Sequence, residues 1–93
     1  MNSAPLWTVI TAHLAQKRLA RASKPDRERL LKALADMATD PFAGDVLPLK
    51  GQQNAFRRRV GDWRIFFDVN RELKRVDITA IERRITTTYK KRT

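Results

Sequence analysis

Arginine is concentrated at one short stretch of this chain, where Arg57, Arg58, Arg59 and Arg64 flank the dipeptide Gly61-Asp62. Guanidinium groups stay charged at physiological pH and present planar donor forks that match phosphate oxygens. Fixed beside a phosphodiester under attack, such forks stabilise the added negative charge of a pentacoordinate phosphorane more than the ground state. Held on a sheet with nothing else, they only bind a polyanion. Cutting requires further groups: a proton acceptor, and side chains that hold a strand in line for attack. Outside the stretch, Lys50, Lys90, Lys91 and Arg92 are candidates for backbone-phosphate contact.

Composition removes several other chemistries. There is no cysteine, which excludes disulfides and thiolate nucleophiles. The single histidine, His13, has no cysteine or histidine cluster around it in sequence, so no structural zinc site is expected. His13 reads as a surface or helix-packing residue, and Trp63 as core. No apolar run approaches the roughly 20 residues of a membrane span. The N-terminus has neither a basic n-region nor a small-residue cleavage site, so no secretory signal is expected and the expected location is cytoplasmic.

The net charge of +10 is uneven. Residues 1–49 hold seven Lys/Arg against five Asp/Glu, whereas residues 50–93 hold thirteen against five. A basic C-terminal half implies nucleic acid or a strongly acidic protein as partner. A length of 93 residues with 42% apolar content supports one domain around one modest core.

The elements that must position these residues can be read from periodicity. Leu6 to Thr11 is short and β-branched, a first strand. Ala12 to Ala22 favours helix, with Ala12, Ala15, Leu19 and Ala22 along one face. Ser23 then caps a second helix whose first turn holds Pro25 and Asp26. Its apolar stripe is Leu30, Leu31, Leu34, Met37 and Ala38, and it ends before Asp40-Pro41. Residues 41–48 read as a loop. Phe56 to Val60 and Trp63 to Val69 are strands joined by a two-residue Gly61-Asp62 turn, and Lys74 to Ala80 follows after a turn at Asn70 to Glu72. Alternation sends Trp63, Ile65, Phe67 and Val69, with Val76, Ile78 and Ala80, towards the helices. The opposite face then carries Arg57, Arg59, Arg64 and Phe66. Arg58 breaks the pattern by sharing parity with Phe56 and Val60, which suggests a place near a sheet edge from which it snorkels to water. The expected fold is α+β in the order β-α-α-β-β-β, a mainly antiparallel sheet with a helical hairpin on one face and a basic tail from about residue 86.

On that frame, Asp40-Pro41-Phe42, Leu49-Lys50-Gly51, the run Phe56 to Ile65 and the pair Arg83 and Tyr89 resemble the RelE/ParE superfamily. These are the small basic toxins of bacterial type II toxin–antitoxin systems, and the resemblance covers nearly the whole chain. The RelE branch implies a ribosome-dependent mRNA endonuclease that needs no cofactor. It enters the ribosomal A site and uses the message's own 2′-hydroxyl as nucleophile. By position, Arg57, Arg59, Arg64, Arg83 and Tyr89 match that branch's catalytic residues. A cognate antitoxin, the ribosome and mRNA are the implied partners.

One departure matters. RelE itself has lysines where this chain has Arg57 and Arg59, and arginine is effectively never deprotonated. Tyr89, in a strongly positive field, or Glu82 are then the possible proton acceptors. Two rival readings stay open: a ParE-like inhibitor of DNA gyrase without nuclease activity, and a non-catalytic RNA- or ribosome-binding module.

Overall fold

The computed structural model describes residues 6–84. Its elements are β1 (Thr8–Thr11), α1 (His13–Arg21), α2 (Lys24–Thr39), β2 (Asp45–Pro48), β3 (Ala55–Val60), β4 (Trp63–Asn70) and β5 (Arg75–Arg83). They build an α+β fold around one sheet with strand order β1-β5-β4-β3-β2. Strand β1 runs parallel to β5, and every other pairing is antiparallel. The two helices connect β1 to β2, and these strands are the opposite edges of the sheet. The helical hairpin therefore crosses the whole width of one face and leaves the other open.

Strand β2 lies in the segment expected to be a loop. It pairs Asp45 to Pro48 with Arg59 to Phe56, and its end residue Pro48 lies on an edge strand, where a missing N–H is tolerated. At the other edge the expected strand from Leu6 is shorter. Trp7 donates its amide to the Ala38 carbonyl at the end of α2, 2.9 Å away, so regular pairing begins only at Thr8.

Both helices start and stop as their residues dictate. Ser23 caps α2, its hydroxyl accepting the Asp26 amide at 3.3 Å, and Pro25 stands in the first turn. Arg27 reaches back and donates to the Ala20 and Ala22 carbonyls at 3.3 and 2.9 Å, satisfying the end of α1. Ala15, Ala22, Leu30, Ala33, Leu34 and Met37 bury against Trp63, Ile65, Phe67, Val69, Val76, Ile78 and Ile81. One stripe residue differs from expectation: Leu31 is exposed, and Ala33, outside the expected stripe, is buried instead, because the face of α2 that meets the sheet is narrow enough for an alanine at closest approach.

An aromatic row extends this core away from the Gly61-Asp62 turn. Phe56 stacks on Phe67 at 5.7 Å between ring centroids, Phe42 meets Phe56 edge-on at 5.2 Å, and Trp7 meets Phe42 at 6.4 Å. The Asp40-Pro41-Phe42 motif thus has a structural role: Asp40 accepts the Phe42 amide at 3.0 Å and turns that ring inward.

Candidate functional site

The open face takes its chemistry from β3 and β4. Arg59 lies opposite Arg64, and Arg57 opposite Phe66. Their side chains point away from the helices because the alternate residues Trp63, Ile65 and Phe67 fill the core. The turn between the strands has positive φ at Gly61 alone, +60°, as in the two-residue turns that put glycine first. Arg64 folds back over this turn, its Nη1 donating to the Gly61 and Trp63 carbonyls at 3.4 and 3.3 Å. Its pKa lies below the ordinary guanidinium value, first through desolvation, then through the charges of Arg59, Arg57 and Arg84, with Asp62 partly offsetting them. Crowded like charges of this kind are relieved by a bound anion.

Arg58 is neither at an edge nor open to water, since β3 lies between β2 and β4. Its side chain runs under α2, with Nη1 donating to the Ala33 carbonyl at 3.4 Å and Nη2 lying 3.7 Å from Asp36 Oδ2. The chain passes close by at Gly44, where φ is +87° and a Cβ would stand 3.0 Å from the Arg58 Cζ. Strand β2 on the outside is what turns the expected edge residue into an interior one.

A β-bulge reorganises the far end of β5. Phe66 pairs with Ala80 and Phe67 with Ile78, which leaves Thr79 without a partner; its hydroxyl donates to the Phe66 carbonyl at 3.2 Å. Beyond it the alternation is inverted. Ile81, not Ala80, enters the core. Glu82 comes opposite Arg64 on the open face. Arg83, the residue matched by position to the nuclease arginine, comes opposite Trp63 on the helix side, its Cζ 5.8 Å from the indole centroid. Arg84 follows with its amide donating to the Asp62 carbonyl at 2.6 Å, and its charge bears on Arg64. The open face thus gathers Arg57, Arg59 and Arg64 with Glu82 and Arg84, while Arg83 stands apart. Only one signal for this was present in sequence, an isoleucine at position 81 after an alanine at 80.

Beside the arginines the open face has a depression of about 410 Å³, whose walls include Leu49, Ala55, Phe66, Ala80 and Glu82. It offers a half-buried aromatic ring and a carboxylate next to the guanidinium group. No ion pair among the described residues engages Glu82. Lys50 is exposed in the loop between β2 and β3, at the opposite end of β3 from the Gly61-Asp62 turn. His13 is exposed at the start of α1, and Trp63 is core. Tyr89, Lys90, Lys91 and Arg92 lie outside the described residues. Among the described residues no group of three or more His, Cys, Asp or Glu side chains could hold a metal ion, and no helix is long and apolar enough to cross a membrane.

A five-stranded sheet with a helical hairpin on one face and arginines on the other defines a class of small basic α+β domains, and solved structures narrow it. The RelE chain of the archaeal RelE–RelB complex from Pyrococcus horikoshii OT3 is 25% identical, with a TM-score of 0.77 over 85% of this chain and 96% of that one. The isolated E. coli RelE toxin is 17% identical, with a TM-score of 0.76 over 90% and 92% of the two chains. A YoeB/ParE toxin from Agrobacterium tumefaciens is 18% identical, with a TM-score of 0.71 over 84% and 99%. No family model and no curated protein matches the sequence. The fold is that of the RelE/ParE toxin superfamily, as the motifs implied.

Proposed function

We infer that this chain is the toxin of a type II toxin–antitoxin system, and that it inhibits translation by cutting mRNA on the ribosome. The observation that carries this reading is the juxtaposition, on one open face, of Arg57, Arg59 and Arg64 with the carboxylate of Glu82, which no ion pair among the described residues engages. It supplies both needs of a 2′-hydroxyl attack. Glu82 accepts the 2′-hydroxyl proton as the oxygen bonds to the adjacent phosphorus. Arg57 and Arg59 hold the non-bridging oxygens as charge builds on them, and Arg64 donates to the departing 5′-oxygen, which takes its proton from water. The products are a 2′,3′-cyclic phosphate and a 5′-hydroxyl. Phe66 stacks on a base to keep attacking and leaving oxygens in line, a task Tyr89 can share. Glu82 here takes the place left empty by the replacement of two lysines with arginines.

The partner that holds such an activity in check is a cognate antitoxin, in keeping with RelB bound to RelE in the archaeal complex. Its inhibitory segment should be acidic and partly apolar, to match the arginines and the exposed Leu47 and Ile10 on the same face. The test is induced expression without antitoxin. Growth and protein synthesis should stop, and primer extension should find new 5′ ends inside translated codons. The arginine pair favours one other reading, since a face without lysines also suits a ParE-like gyrase inhibitor. Intact messages with blocked supercoiling would select it, and the absence of any growth effect would leave a plain RNA-binding module.

A further inference from the structure

The helix side of the same sheet end carries a second basic recess that the cutting reaction does not use. It is a cavity of about 460 Å³ whose lining includes Arg18, Arg21, Ala22, Asp26, Trp63 and Arg83. Trp63 is only 6% exposed, and the Cζ atoms of Arg18 and Arg83 lie 5.7 and 5.8 Å from its ring centroid. The ring is covered, so it offers nothing to stack on; it orients two guanidinium groups from different elements. Asp26, the carboxylate at the rim, is engaged by Arg29 Nη2 at 3.4 Å. No ion pair among the described residues involves Arg18, Arg21 or Arg83. The carbonyls at the end of α1, which could have neutralised Arg18 and Arg21, are instead taken by Arg27. Three exposed guanidinium groups therefore converge on the recess, and among the described residues its lining sets the single carboxylate of Asp26, already engaged by Arg29, against them.

We propose that this recess is a second phosphate site, and that one single-stranded RNA passes from the open face around the Gly61-Asp62 end of the sheet to reach it. The bulge at Thr79 makes the path continuous. Arg64 and Arg84 act on one face while Arg83, between them in the register, faces the other. Consecutive phosphates thus meet guanidinium forks on both sides of one sheet end. An RNA backbone fits because its phosphates recur at short regular intervals and each matches a guanidinium fork, so one chain can meet Arg64 and Arg84 on the open face and Arg83, Arg18 and Arg21 in the recess. The proposal rests on RNA being the ligand of the open face, but not on cutting or on the ribosome.

The experiment measures binding of the full chain to a protein-free single-stranded RNA of about 12 nucleotides across a range of salt. Each phosphate contact contributes roughly 0.7 to the slope of log Kobs against log salt. Arg18→Gln with Arg21→Gln, both exposed on α1 and outside the cutting site, should lower the slope by about 1.4. The matched pair Arg71→Gln with Lys74→Gln, at the other end of the sheet, should leave it unchanged. An RNA of about 4 nucleotides, too short to span both faces, should bind the wild type and the α1 variant alike. Equal slopes for the wild type and the α1 variant overturn the proposal, as does an equal drop in both pairs, which would mean diffuse charge alone. Unchanged RNA binding with lost polyglutamate binding would also overturn it and assign the recess to a peptide. Circular dichroism of both variants guards against a folding artefact. Cleavage is scored separately, so a chain that binds but does not cut leaves this site standing.

Discussion

Arg58 and Arg59 are neighbours in sequence and opposites in circumstance. Arg59 is exposed on a face of like charges, whereas Arg58 lies under α2 with its Nε buried and without a hydrogen-bond partner. A buried donor left unpaired costs about 1–3 kcal/mol, which the 3.7 Å pairing with the half-exposed Asp36 offsets only in part. Arg58→Met keeps the aliphatic volume and removes the unpaired donor, so its stability to urea should match or exceed the wild type. Arg58→Ala opens a void against Gly44 and should cost about 1–3 kcal/mol. A methionine variant as damaged as the alanine one would show that the guanidinium itself holds β3 to α2. On the other face, Glu82→Gln should slow mRNA cutting by roughly 10²–10⁴-fold with RNA affinity undiminished, since it removes the proton acceptor and a repulsive carboxylate together. Arg83→Gln, on the helix side, should slow it far less. Cutting at the wild-type rate by the Glu82 variant would exclude that carboxylate as the base.

Two short irregularities in β-structure decide which residues meet. At Gly61 the +60° φ is open to glycine at little cost, and a Cβ there would lie 3.3 Å from Arg29 Nη1, a flexible tip that can move aside. Gly61→Ala should therefore lose about 1–2 kcal/mol from backbone strain alone, read as a lowered melting temperature. The bulge at Thr79 is the larger determinant. Deleting Thr79 removes only the unpaired residue, so the pairs Phe67–Ile78, Phe66–Ala80 and Ile65–Ile81 can close without a bulge, with Ile81 still in the core and Glu82 still on the open face. The deletion variant should therefore fold and keep the wild-type arrangement of Arg64 and Glu82, read as undiminished cutting. A deletion variant that folds but exposes Ile81 and no longer cuts would refute the assigned register. The regular parts of these elements were legible in sequence: the Ser23 cap, the Gly61-Asp62 turn and the 2-residue period of β4 each follow from local chemistry. The fate of Arg83 was not. A one-residue bulge leaves local propensity unchanged and is set by long-range pairing, so periodicity carried past Ile78 assigns Ala80 and every later side chain to the wrong face. Arg58 was misread for a related reason, because the short strand Asp45–Pro48 has little apolar alternation to announce it.

At the scale of the whole molecule, a charge of +10 on 93 residues is a cost that a partner removes. The lowered pKa of Arg64 shows the sign locally. A base whose pKa falls on folding is less favourably charged in the folded state than in the unfolded one, so its penalty persists at every pH where the group is protonated. That range includes all physiological conditions, and no adjustment of pH near neutrality relieves it. Salt can, because screening shortens the Debye length from about 10 Å at 0.1 M to about 3 Å at 1 M. The isolated chain should therefore melt at a higher temperature as sodium chloride rises across that interval. The same change should weaken the proposed complex with an acidic antitoxin, chiefly by slowing association. These two trends have opposite directions and one cause, so they can be tested together by thermal melts and stopped-flow mixing over a single salt series. Removing charge by Arg57→Gln with Arg59→Gln should flatten both curves at once. If the melting temperature of that variant still climbed with salt as steeply as the wild type's, the repulsion would lie elsewhere than the open face.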